Sequence, residues 1–263
     1  MKFIPNEKAY VEKMIVNEKV NNPKKEKKDL ILIIRYFLEV FNDEKDALWN
    51  TMGIISKMYG EEDYDKWWEF VNNFVKQYDK KKQRPLTNVT QVGITKKELE
   101  IIDSIKNEKL EKVAFGLLVY CKIWNAIKNK KDCWVNMSET AEFYRDIMIS
   151  ANTTTRETNF FKLQQLGLIT IPRKTGSEDI KLEFIDLDGD SEIVIDSLDD
   201  FILDYYIYRG KRVINCKECG KRVLAKSNKT QYCSECSKKK EKERVRISMR
   251  NNRRKKVCTQ SKN

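Results

Sequence analysis

Residues 153–171 read TTTRETNFFKLQQLGLITI, from Thr153 to Ile171. Residues 154–166 hold no Gly or Pro and close on Gly167, the residue that most easily takes the left-handed conformation ending a helix. Leu168, Ile169 and Ile171 then make a short apolar run of strand character. Arg173-Lys174-Thr175-Gly176-Ser177 is a turn, and residues 180–185 return as a second strand in which Lys181 and Glu183 alternate with apolar neighbours.

Toward the N-terminus, Trp134-Val135-Asn136 is a brief extended piece, and a helix starting at Ser138-Glu139-Thr140 carries Ala141, Tyr144, Ile147 and Met148 before a break at residues 150–153. Thr95-Lys96-Lys97-Glu98 fits a capping box, in which hydroxyl and carboxylate satisfy opposite backbone N–H groups at a helix start. That helix runs to about Lys106. The next places Val113, Phe115, Leu117, Leu118, Cys121, Ile123, Trp124 and Ile127 on its apolar side. Cys121 and Cys133 have no partner at metal-ligand spacing and read as small core residues.

Helix, helix, helix and two-stranded hairpin over residues 112–186 resembles a winged helix-turn-helix, with the segment 153–171 similar to the recognition helix and the start of the wing. The resemblance implies that Phe160, Leu163 and Leu166 pack inward. Thr155, Arg156, Asn159 and Lys162 then face phosphates or base edges, with Arg173 and Lys174 at the wing tip. The competing expectation is a winged helix that binds protein, favoured by Glu157 and the scarcity of basic residues on the helix. Asp186-Leu187-Asp188-Gly189-Asp190 starts like a calcium loop, but Ser191 and Ser197 stand where the loop needs Gly and Glu. Asp188-Gly189 is therefore expected to turn a hairpin between residues 180–187 and 192–195, and Ser197 to cap a helix over 198–208 that docks on the winged-helix body.

Residues 1–84 read as a helical domain. Leu30, Ile33, Ile34, Phe37, Leu38 and Phe41 form one apolar stripe, and Tyr64, Trp67, Trp68, Val71, Phe74, Val75 and Tyr78 another. Aromatic residues at that spacing are core rather than base-stacking groups. Lys80-Lys81-Lys82-Gln83-Arg84-Pro85 is a basic linker. The Trp-rich bundle is a candidate homodimer surface, although no heptad pattern is sustained.

Cys216-Lys217-Glu218-Cys219 and Cys233-Ser234-Glu235-Cys236 are two C-x-x-C pairs, and the chain contains no histidine. Each pair turns two sulfurs inward from a knuckle, so together they are expected to supply the four thiolates of one structural Zn(II), with Cys216, Cys219, Cys233 and Cys236 as ligands; an iron–sulfur cluster and a redox dithiol are the alternatives, and two matched pairs in one short module favour zinc. The segment from Asn215 to Arg246 resembles zinc ribbons at the ends of phage and mobile-element proteins, which implies nucleic-acid binding more than catalysis. Within it, residues 221–232 read as strand, basic loop and short strand, with Lys221, Arg222, Lys226 and Lys229 as candidate phosphate contacts. Residues 238–263 form a basic tail, helical or disordered, with Arg244, Arg246, Arg250, Arg253 and Arg254 as candidate contacts.

Charge sharpens this division. The chain carries 52 Lys+Arg against 40 Asp+Glu. Residues 211–263 hold 19 basic and four acidic residues, so the preceding part is slightly acidic, and residues 178–204 set eleven acids against Lys181 alone. A fold-back of the basic tail onto that acidic stretch is one expectation. The lack of histidine removes Ser-His-Asp triads, His-dependent nucleases and His-ligated metals, and no phosphate-binding glycine loop occurs. No apolar run approaches the roughly 20 residues of a membrane helix, and no signal-peptide stretch opens the chain, so a cytoplasmic protein is expected.

The expected fold is mainly α (α+β): a helical bundle (1–84), a winged-helix domain (95–209), a zinc ribbon (211–237) and a basic helical tail (238–263). The expected function is non-enzymatic nucleic-acid binding, DNA before RNA, in replication initiation or transcription control of a phage or mobile element. The alternative is an interaction factor that inhibits or redirects a host nucleic-acid machine such as RNA polymerase or a CRISPR effector.

Overall fold

A computed structural model describes residues 4–21, 23, 26–41, 43–78, 84–172 and 178–260, of which 251–260 are described for their backbone alone. Arg173 and Lys174, the expected wing tip, and Lys80 to Gln83 of the expected linker lie outside the described residues. The chain is helix-rich with small antiparallel sheets, as the composition and periodicity predict. No helix among the described residues is long and apolar enough to cross a membrane.

Four helices open the chain: α1 (Glu7–Asn17), α2 (Glu26–Val40), α3 (Glu44–Tyr59) and α4 (Tyr64–Gln77). Asn6 and Asp43 cap α1 and α3, their side-chain oxygens accepting the N–H of Ala9 at 2.9 Å and of Lys45 at 2.7 Å. The α2 stripe is the centre of this bundle, with Leu30, Ile33, Ile34 and Leu38 buried, joined by Trp67, Val71 and Val75 of α4. Arg84 belongs to the bundle and not to a free linker. Its guanidinium pairs with Glu7 at 2.8 Å, Leu86 is buried, and the Thr87 N–H donates to Glu7 at 2.9 Å.

A second core gathers around α6 (Glu108–Lys128), whose centre is apolar on every side and therefore buried on every side. Packed with it are β1 (Val92–Thr95), α5 (Lys96–Ser104), β2 (Trp134–Asn136), α7 (Thr140–Asp146), α8 (Thr153–Gln165), β3 (Ile169–Thr170), β4 (Asp179–Leu182), β5 (Ser191–Ile195) and α9 (Ile202–Tyr208). Gly116 lets α7 approach closely, because a Cβ there would meet Ile147 at 2.5 Å and Phe143 at 2.9 Å. Tyr205 of α9 packs its ring at a tilt against Phe115, 5.4 Å between centroids, and donates to Glu111 at 2.7 Å, so α9 docks on α6.

The strand pairing corrects one expectation. Residues on either side of Asp188-Gly189 do not form a hairpin with each other: β4 lies between β2 and β3, whereas β5 pairs antiparallel with β1. The cause is local. Asp186 accepts the N–H groups of Asp188 and Gly189 with one carboxylate oxygen, and its own N–H donates to Glu98 at 2.8 Å, which swings the chain toward the start of α5 and the β1 edge. Glu98 also completes the expected capping box with Thr95 and pairs with Lys122 at 2.8 Å. A second correction is that Ser197 does not cap the following helix, which begins at Ile202 after a turn in which Asp200 N–H donates to the Ser197 carbonyl.

Candidate metal centre and basic helix

The last part of the chain is a β-hairpin of β6 (Val213–Asn215) and β7 (Arg222–Leu224), followed by a 27-residue helix, α10 (Ser234–Gln260). The expected second strand after the basic loop is absent among the described residues; the partner of β7 instead precedes the first knuckle. Within that knuckle, Gly220 N–H donates to the Cys216 carbonyl at 2.9 Å, a return that Gly220 makes at φ +72 where a side chain would be strained. In the second, Cys236 N–H points at Cys233 Sγ at 3.4 Å and Ser237 N–H donates to the Cys233 carbonyl. Cys233 thus stands at the start of α10 and Cys236 in its first turn.

The four sulfurs of Cys216, Cys219, Cys233 and Cys236 all lie within 4.8 Å of one another. Cys219 and Cys233 are 3.8 Å apart, far beyond a disulfide bond. It is the edge of a tetrahedron with metal–sulfur bonds of about 2.3 Å. Three of the four cysteines are buried and Cys219 is exposed. Backbone N–H groups, that of Cys233 first, pull the Cys216 thiol down to about 6, whereas hydrogen bonding among the neighbouring sulfurs, Cys233 first, pushes Cys236 up to about 12. Four thiolates cannot share this volume without a cation, and one metal ion fits the donor set.

The hairpin is fixed to the second core. Val213 and Leu224 pack against it, and Arg222 spans Asp200 at 3.0 Å and Asp204 at 2.8 Å. Burial raises the Asp204 carboxyl above its ordinary range while Arg222 opposes that shift. Arg222 is therefore engaged within the chain and not free for phosphate, a correction to the sequence reading. The acidic stretch does draw in a basic residue, but from the hairpin; the ion pairs of Arg244 and Arg246 stay within α10, to Glu241 and Glu243.

Lys240 links the helix to the first knuckle. Its Nζ is 2.8 Å from Glu218 in the first knuckle and 4.4 Å from the Tyr232 ring centroid. Sequence reasoning missed this contact because the partners are distant along the chain. Beyond it, every residue from 241 to 250 is exposed, including Arg244, Arg246, Arg250, Val245, Ile247 and Met249. Lys238, Lys242, Arg246 and Arg250 repeat at four-residue spacing, where like charges repel along a helix. Arg253 and Arg254 fall on α10, but their side chains lie outside the described residues.

No family model, curated protein or solved structure matches this chain.

The remaining expected contacts divide. Lys162, Lys221, Lys226 and Lys229 are exposed. Thr155 is half-buried, its N–H donating to the Asn152 cap at 2.8 Å. Arg156 is also half-buried; its Nε donates to the Ala151 carbonyl at 3.0 Å and its guanidinium lies over Tyr144. Asn159 is buried and donates to the Tyr144 hydroxyl at 3.0 Å, so it does not face outward. Leu166, expected inward, is exposed because the helix ends at Gln165 and the chain turns there. The outer face of α8 consequently centres on Phe161, itself 56% exposed, with Glu157 and Lys162 of opposite charge beside it.

Proposed function

We propose that the protein is a non-enzymatic nucleic-acid-binding protein, with DNA as the preferred ligand, whose four-cysteine ribbon holds one structural Zn(II) and presents α10 to the polyanion. The observation that carries this reading is that residues 241–250 of α10 are all exposed and include Lys242, Arg244, Arg246 and Arg250, with the ion pairs of Arg244 and Arg246 confined to Glu241 and Glu243 of the same helix. Phosphates offset the remaining positive charge. Zinc is the metal favoured by an all-thiolate tetrahedral set, and in this role it fixes the start of α10 rather than performing chemistry.

The order α6, α7, α8, β3, β4, with β2 on the same sheet, supports the winged-helix reading of the middle of the chain. The resemblance of the ribbon to those of phage and mobile-element proteins supports a role in replication initiation or transcription control. A second reading, a protein-interaction factor acting on a host nucleic-acid machine, draws on α8. Its Phe161 is exposed, as is Leu166 just past its end, while Arg156 and Asn159 are committed to partners within the chain. In that case α8 meets protein and α10 occupies a nucleic-acid channel.

Fluorescence anisotropy of the full chain, and of a chain ending at Lys240, against duplex DNA, single-stranded DNA and RNA at rising salt tests the proposal. Duplex binding that weakens steeply with salt and is lost on truncation is expected. Absence of binding to all three ligands at low salt would refute it.

A further inference from the structure

The distribution of residues around α10 is not that of a uniformly charged tail. At about 100° per residue, Val245, Ser248 and Met249 fall within an arc of about 100° that is uncharged from residue 242 to 250, Lys238 and Glu241 lying on it nearer the ribbon. Beside that arc on one side run Lys242, Arg246 and Arg250, with Lys239 continuing the row toward the ribbon; on the other run Lys240 and Arg244, whose ion pairs with Glu218 and Glu241 are solvent-exposed ones of small value. The line opposite the uncharged arc carries Glu243 and Ile247. Val245, Ile247 and Met249 are 40%, 51% and 59% exposed, so both the uncharged arc and the line opposite it are open to solvent.

We propose that α10 is a groove-reading helix for B-form duplex DNA, with Val245, Ser248 and Met249 facing the base edges and the two flanking cation rows facing the phosphate walls. The inference rests on the nucleic-acid reading above and adds the form of the ligand and the face that meets it.

Three physical points favour this ligand. A helix about 10–12 Å across with its side chains fits a B-DNA major groove about 12 Å wide, whereas the deep, narrow major groove of A-form RNA excludes it. Single strands are held by stacking bases on aromatic rings, and no Phe, Tyr or Trp follows Tyr232 in the chain. Finally, cations on both sides of an uncharged strip match a helix lying between two phosphate rows; one resting on a single strand needs a single row. Val and Met side chains suit contact with thymine methyl groups, and Ser donates or accepts at any base edge. Lys238 and Glu241 begin the same line on the ribbon side. Glu241 is held by Arg244 at 2.8 Å, and a carboxylate there is matched by an amino donor at the base edge, cytosine N4 or adenine N6.

The test uses two full-length variants with the same change of charge, Met249→Glu and Ile247→Glu. Both positions are exposed on one helix, so folding is affected equally, and circular dichroism checks that it is. Anisotropy with a duplex should show Met249→Glu weakening binding about tenfold or more, and Ile247→Glu by about threefold or less. Methylation of guanine N7 within the site should interfere with binding, since that atom lines the major groove. Equal losses for the two variants, or single-stranded DNA binding as tightly as duplex, would overturn the groove assignment while leaving nucleic-acid binding in place. Wild-type protein that binds no nucleic acid removes the functional reading itself, and the groove assignment with it.

Discussion

Replacing Lys242, Arg246 and Arg250 together by Ala should change the salt dependence of duplex binding by an amount that the structure fixes in advance. All three side chains are exposed on one row of α10, and the ion pair seen among them, Arg246 with Glu243 at 3.6 Å, is a solvent-exposed one of small value. Each cation that meets a phosphate releases condensed counterions and contributes about −0.9 to the slope of log K against log salt. Loss of three such contacts should therefore flatten the slope by about 2.7. Between about 50 and 200 mM salt, wild type should lose about 40-fold more affinity than the variant. Anisotropy titrations at four or five salt concentrations measure both slopes directly. Ala favours helix, so α10 should keep its circular dichroism signal, and the comparison is free of folding effects. An unchanged slope would mean that these cations do not meet phosphates, and the account of α10 would fail.

Three further outcomes follow from other parts of the molecule. Glu98→Ala removes the acceptor of Thr95 and Asp186 N–H groups and leaves Lys122 partly buried without its carboxylate, so urea unfolding should show a loss of about 3–5 kcal/mol. Adding Lys122→Met should restore a substantial part of it, and a loss below about 1 kcal/mol for the single variant would contradict the buried hub. Cys219→Ser should abolish stoichiometric metal binding and melt residues 211–240 while the two larger cores keep their cooperative unfolding; retained one-to-one metal content would count against the four-sulfur site. Burial pushes Tyr144 from 10.0 up to about 12, with the Asn159 hydrogen bond and Arg156 pulling the other way. Because the folded value is the higher, its stabilising contribution is complete below pH 10 and is lost as pH rises from 10 toward 12. Ultraviolet difference spectra should show Tyr144 ionising later than exposed tyrosines, in a late phase shared with Tyr10, Tyr59, Tyr205 and Tyr208, which burial also raises. A Tyr144→Phe variant should reduce the amplitude of that late phase by one tyrosine, and an unchanged amplitude would contradict the assignment.

What the sequence made legible was local. The α2 stripe, the Thr95–Glu98 capping box, the brief strand at Trp134–Asn136 and the two knuckles each depend on residues within a turn or two, where periodicity and spacing carry the signal. The pairing of β1 with β5 was not legible, because its partners lie about a hundred residues apart and the turn that separates β5 from β4 depends on Glu98 receiving the Asp186 N–H. Asn159 illustrates a second limit. A polar residue on a helix reads as outward-facing until its buried partner, here the Tyr144 hydroxyl, is known. Leu166 is the reverse case: an apolar residue assigned to the inner face lies at the C-cap, past the point where helical periodicity applies. At the candidate site, the cysteines and most basic residues were evident, whereas the link from Lys240 to Glu218 and Tyr232, which joins α10 to the first knuckle, required the fold.

The account stands on α10 being the element that meets nucleic acid. Hydrogen–deuterium exchange of the full, metal-loaded chain with and without saturating duplex DNA reads this directly. Protection should appear in peptides covering residues 241–260, and those covering α8 should change little. Unaltered exchange along α10, with protection confined to α8 or absent everywhere, would contradict it.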